Sequence, residues 1–187
     1  MNRLATLALI AVLAVPAHAG VIHNESVNGD LSTNAAVPTA LAFALGGNTV
    51  IGTVTTPADA RDYITFTIPV GQALMHLNLL SYSPPGLAFA AFNAGVTSFV
   101  PSVATDPLFL SGIHVGGADF GADLMPLFVD RNVTSNALPG PMLGPGDYCF
   151  VIQQANTTVT SYQLEFVVES VVPTRSTTWG MIKSLYK

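Results

Sequence analysis

Residues 59–71, DARDYITFTIPVG, decide how this chain is read. An acidic turn enters a run in which Ile64, Phe66 and Ile68 share one face and Tyr63, Thr65 and Thr67 the other. That two-residue period is the signature of a β-strand. Pro69 stops the strand, because it has no N–H for the ladder, and Pro69-Val70-Gly71 turns the chain. Working outward, residues 20–36 are polar, and Asn28-Gly29-Asp30 is a turn signal. The apolar runs 39–45 and 48–54 flank Gly46-Gly47 and predict a hairpin. Residues 73–82 predict a strand with Met75, Leu77 and Leu79 on one face. Leu74, His76, Asn78, Leu80 and Tyr82 fall on the other.

Residues 87–92 and 97–100 predict further strands. Residues 102–145 read as irregular, and Gly117-Ala118-Asp119 and Gly121-Ala122-Asp123 within them as turn punctuation. Then Tyr148, Phe150 and Ile152 alternate with Cys149, Val151 and Gln153. Tyr162, Leu164, Phe166 and Val168 alternate with Gln163, Glu165, Val167 and Glu169. These two strands predict an antiparallel hairpin with one wet face. Short strands, frequent turns and no long helix predict an all-β fold. The expected form is an antiparallel β-sandwich of jelly-roll type, one domain over residues 20–172.

Only 9% of the 187 residues are charged and 50% are hydrophobic, a composition for a packed core rather than disorder. Residues 1–19 have a positive start, an apolar run and Ala17-His18-Ala19, the pattern of a signal peptide cut before Gly20. Its apolar stretch is shorter than the ~20 residues that span a bilayer. No second long apolar run follows, so no integral membrane span is expected after cleavage. The expected location is secreted, extracellular or at the cell surface, with the periplasm as the other compartment. Without Arg3, five basic residues face eleven acidic ones, a net charge of −6. Five scattered cations form no basic patch, which argues against nucleic acid. Cys149 stands alone, so no internal disulfide forms. It reads as a small hydrophobe if it faces a second sheet and as an intermolecular bridge if exposed. In the tail, 173–187, Ile182, Leu185 and Tyr186 have helical spacing and predict a short amphipathic helix.

Several stretches together resemble the bacterial pre-peptidase C-terminal domain family. They are Glu25-Ser26-Val27-Asn28-Gly29-Asp30, Gly52, Asp59-Ala60-Arg61-Asp62-Tyr63, Phe66, Pro69-Val70-Gly71 and Gly146-Asp147-Tyr148. The likeness covers roughly residues 23–82 and 144–169. It implies a jelly-roll-like, non-catalytic module of exported bacterial proteins, sometimes stabilised by calcium and sometimes binding extracellular polymer. Two departures are a long insertion, from about residue 87 to 143, and the lack of a peptidase domain ahead of the module. A partner-domain role is therefore not implied.

Calcium takes about six to eight oxygens from carboxylates, amides, carbonyls and water. The resemblance implies that Glu25, Asn28, Asp30, Asp59 and Asp62 converge as ligands if the first turn packs beside the turn before the central strand. His23, His76 and His114 lack zinc-ligand spacing, and no G-x-S-x-G elbow occurs, so no enzyme is expected. Tyr63, Tyr82, Phe99 and Phe109 are candidates for stacking on sugar rings if exposed, and for core packing otherwise. The expected function is a non-enzymatic module that binds extracellular carbohydrate or protein polymer, or mediates cell-surface adhesion. The alternative is a structural, matrix or surface-sorted protein whose C-terminal tail docks a partner.

Overall fold

A computed structural model describes residues 20–97, 108–130, 136–154 and 157–171. The leader, the tail, Phe99 and most of the strand expected at 97–100 lie outside these residues. Two sheets face each other. The first has the order β1 (Gly20–Asn24), β3 (Gly46–Val54), β9 (Thr160–Ser170) and β5 (Gln72–Ser83). The second has the order β2 (Thr39–Ala40), β4 (Arg61–Ile68), β8 (Gly146–Gln154), β6 (Leu87–Ala94) and β7 (Phe109–Gly116). The interleaving of β9 between β3 and β5, and of β8 between β4 and β6, is that of a jelly roll. At the rim beyond β5, loop backbone takes the place of a strand: Leu74 pairs with Leu143, and Leu124 N–H donates to the Leu77 carbonyl at 2.7 Å. Two short helices complete the fold, α1 (Glu25–Asn28) and α2 (Met125–Asp130).

The sheets are mixed rather than wholly antiparallel, because β1 runs parallel to β3 and β2 parallel to β4. A parallel pair needs a long crossover. Here each crossover is a visit to the opposite sheet. The same shuttling removes both expected hairpins. Residues 39–40 and 46–54 belong to different sheets, and Gly46-Gly47 opens β3, Gly46 with φ +94°. The turn lies just before, where Asn48 Oδ1 accepts from Ala44 N–H at 2.8 Å and Asn48 Nδ2 donates to the Ala44 carbonyl at 2.9 Å. β8 and β9 likewise do not pair; each is central in its own sheet. β9 keeps a clean alternation of buried and exposed positions, whereas β8 is buried continuously from Cys149 to Ile152.

In β5 the expected parity fails. Irregularities between Leu74 and His76, and between Leu79 and Ser81, shift the register, so Leu74 and Tyr82 join Leu77 and Leu79 in the core. β7 runs through the segment expected to be irregular. Gly112 disguises it, and its place is fixed by packing: a Cβ there would meet the Phe89 ring at 2.6 Å. The two Gly-Ala-Asp copies do punctuate turns. Asp119 Oδ2 accepts from Gly116 N–H, and Asp123 Oδ1 accepts from Leu77 N–H and Met125 N–H.

The core between the sheets carries a run of rings. Phe43 stacks on Phe66 at 4.4 Å, Phe150 meets Phe166 edge-on at 5.4 Å, and Phe92 bridges Phe150 and Phe128 at 5.0 and 4.8 Å. A second, smaller cluster of Tyr63, Ala91, Phe109 and Val151 lies apart from it. Cys149 shares the strand face of Val151 and is fully buried, so it is a small apolar group after all, though not one facing the other sheet. Burial pushes its thiol up, opposed by a hydrogen bond with Thr65.

Candidate metal centre

β1 and β3 run side by side, and α1 follows β1 directly. Asn24 caps α1, its Oδ1 accepting from Ser26 N–H at 3.1 Å. Gly29 then reverses the chain with φ +89°, a conformation that L side chains rarely adopt. Leu31 plugs into the core, and Tyr63 N–H donates to the Ser32 carbonyl at 2.9 Å. That bridge between Ser32 and β4 draws Asp30 toward Asp62. Glu25 reaches across to β3, where its Oε2 accepts from Thr53 N–H at 2.7 Å and from Thr53 Oγ1 at 3.0 Å. Its Oε1 accepts from Leu31 N–H at 3.2 Å.

One carboxylate oxygen each from Glu25, Asp30 and Asp62 consequently lies within 4.8 Å of the other two. Glu25 and Asp30 border an open cleft of about 650 Å³, lined also by Asn24, Thr53, Asp59 and Ser161, whereas Asp62 is buried outside its lining. Asp59 arrives on the β3–β4 turn, held by paired backbone bonds with Thr55 at 2.6 and 2.8 Å. Asn28 uses its side-chain oxygen within α1. Its Oδ1 accepts from Asn24 N–H at 2.8 Å, closing α1 on itself. The histidines are scattered: His23 bonds the Gly29 carbonyl, His76 Nδ1 meets Asp123 Oδ2 at 2.8 Å, and His114 lies against Phe89.

The electrostatics of the cleft are one-sided. Asp62 is only 1% exposed; its Oδ2 accepts from Tyr162 Oη at 2.7 Å, and its Oδ1 meets no donor, the protonated carboxyl instead hydrogen-bonding the Asp59 side chain. Burial, opposed by the Tyr162 bond and reinforced by the charges of Glu25, Asp59 and Asp30, pushes its carboxyl up to about 9. Burial, then the charges of Asp30 and Glu25, push Asp59 up to about 6. Burial also raises Glu25, against the bonds from Leu31 and Thr53. Hydrogen bonds oppose these three shifts; no basic side chain does.

The pH consequence follows by linkage. With its folded value above the ordinary 3.8, Asp62 holds a proton in the folded chain that it lacks when unfolded. Stability therefore falls as pH rises between those two values, with Asp59 adding to the fall up to about 6. In chelator, the melting temperature is expected to drop steadily from pH 5 to about pH 9, and Asp62→Asn to flatten the drop. A rising or level profile in the native protein refutes this electrostatic picture.

Asp62, read from the sequence as part of the acidic turn, lies inside β4 and is buried two residues before Ile64. Two participants, Tyr162 and Thr53, carry no motif of their own. Tyr162 was legible only as one of the core-facing residues of β9. Of the candidate sugar-stacking residues, Tyr63, Tyr82 and Phe109 are buried and Phe99 lies outside the described residues, among which Phe120 is the exposed aromatic.

No protein-family model matches the sequence, and no curated protein matches it. Among solved structures, the chain is similar to the pre-peptidase C-terminal domain of collagenase from Bacillus anthracis, the domain type its motifs resemble. Identity is 14% and the TM-score 0.41, over 71% of this chain and 97% of that one.

Proposed function

We propose that this chain is an exported, non-enzymatic β-sandwich module completed by calcium and acting as a binding or adhesion module toward extracellular polymer. The observation that supports it is the convergence of Glu25, Asp30 and Asp62 with no basic counter-charge among the described residues. Buried carboxylates are costly unless paired with cations or metal. An all-oxygen donor set with an unsatisfied buried oxygen at Asp62 suits a hard divalent ion. Glu25, Asp30 and Asp62 would hold it, with Asp59 beside them. When bound, the ion supplies the positive charge that the cleft lacks.

The same geometry speaks against acid–base catalysis. A general acid must come within hydrogen-bond reach of substrate, yet Asp62 is buried and Glu25 already accepts from Leu31 and Thr53. With Tyr63, Tyr82 and Phe109 buried, polymer contact falls to polar groups around the cleft, such as Ser26, Thr53 and Ser161.

Extracellular calcium modules bind with Kd of about 10⁻⁴–10⁻³ M. Calorimetric titration with CaCl₂ is expected to give one site in that range. At a hundredfold excess over Kd the ion adds about 2.7 kcal/mol, which raises the melting temperature by roughly 5–10 °C. Neither heat nor a raised melting temperature means that the cleft is a solvated turn and the calcium reading is wrong. Retention on insoluble polysaccharide or surface protein that is lost in chelator supports the binding role; passage through with calcium present removes it.

A further inference from the structure

We infer that Tyr162 is the positioning residue of this cleft, its hydroxyl fixing Asp62 from the opposite sheet while Gly52 leaves the space it occupies. The inference rests on the calcium reading and adds a residue to it. Tyr162 lies on β9 of the first sheet and Asp62 on β4 of the second, so their 2.7 Å hydrogen bond crosses the sandwich. It is also a bond between two buried groups, 2% and 1% exposed. Tyr162 stands directly opposite Gly52 in the β3–β9 ladder. Its phenol lies over the Gly52 backbone so closely that a Cβ there would fall 2.4 Å from Oη and 2.6 Å from Cζ. The next residue, Thr53, grips Glu25. One stretch of β3 thereby admits the hydroxyl that orients Asp62 and anchors the carboxylate that faces it.

The hydroxyl takes Oδ2 and leaves Oδ1, which meets no donor, on the side of the Asp59 carboxyl. A free carboxyl rotor would have to be ordered when the ion binds. Tyr162 orders it beforehand, and groups that orient a metal ligand in this way are typically worth ~10–100-fold in affinity.

The test compares Tyr162→Phe, which removes one oxygen, with Tyr82→Phe, which removes the hydroxyl of another buried tyrosine, one bonded to Gln154 rather than to Asp62. Calcium affinity by calorimetry is expected to fall about tenfold or more in Tyr162→Phe and to stay unchanged in Tyr82→Phe. Terbium supplies a second readout, since a nearby tyrosine sensitises its emission. Tyrosine-excited emission that calcium displaces is expected in the wild type, and its loss at saturating terbium in Tyr162→Phe. Equal calcium affinity in folded Tyr162→Phe and wild type overturns the inference and leaves the calcium site standing. Equal losses in both variants also overturn it, because they mark a general structural effect. If Tyr162→Phe does not fold, displaceable tyrosine-excited emission in the wild type supports the inference and its absence overturns it. A wild type that binds neither ion overturns the calcium reading as well.

Discussion

Phe166→Ala is expected to cost about 3–5 kcal/mol, the range for deleting a fully buried aromatic ring. Phe166 has no exposed surface and sits where the two sheets meet. Its ring contacts Phe43 at 5.0 Å, Phe66 at 5.8 Å and Phe150 at 5.4 Å. These neighbours come from the loop before β3, from β4 and from β8, so collapse into the hole would have to move several elements at once. Lost transfer energy and an unfilled cavity therefore add. A domain of this size loses about 2–4 °C per kcal/mol, so the melting temperature should fall by roughly 6–20 °C. Thermal unfolding followed by circular dichroism measures it. A loss under about 1 kcal/mol, the mark of a surface position, would mean that the rings do not form the core.

Gly52→Ala is the second large effect, and its sign is the informative part. Inside a strand, glycine is ordinarily the weaker choice by about 0.5–1 kcal/mol, so alanine should help. Gly52 has no positive φ to protect, which leaves sterics to decide. The added carbon would lie 2.4 Å from the Tyr162 hydroxyl, and either β3 or the phenol has to move. Overpacking of this kind costs about 1–3 kcal/mol. Displacing the hydroxyl leaves the buried Asp62 oxygen without its donor, which adds about 1–3 kcal/mol. The clash wins over the propensity gain, and a net loss near 3 kcal/mol follows. Alanine at this position that stabilises the protein would show that the phenol does not lie across β3.

Alternation carried most of the fold. The runs around Phe66, Phe150 and Phe166 obey a two-residue period because each strand buries a face against the other sheet, and that constraint is local. Which strand pairs with which is not local. The Gly46-Gly47 pair looks like a hairpin turn, yet the side chain of Asn48 closes residues 44–48 and the pair leads into β3 instead, with φ +94° at Gly46. Cys149–Ile152 has no wet face, so its burial says nothing about which sheet it joins. The irregularities in β5 are invisible because they depend on the partner strand.

The cleft was legible in part. Glu25, Asp30, Asp59 and Asp62 stand on two turns that the motif likeness places together, and the Ser32–Tyr63 bridge does bring them near each other. Asn28 looked equivalent to them, but an asparagine at the end of a single helical turn has a nearer use for its oxygen. Tyr162 lay beyond reach, since it is 100 residues away in sequence from the carboxyl it touches.

The place of β9 has a kinetic consequence. It is the last of the described strands in chain order, yet it fills the gap between β3 and β5 and makes the ladders to both. A polypeptide emerging from its amino end cannot join those two strands until residue 170 is free. Until then the first half lacks the central seam of one layer and stays loosely collapsed. Such delayed long-range closure is slow relative to local hairpin formation. It also keeps the nascent polypeptide threadable for as long as its final strand is withheld.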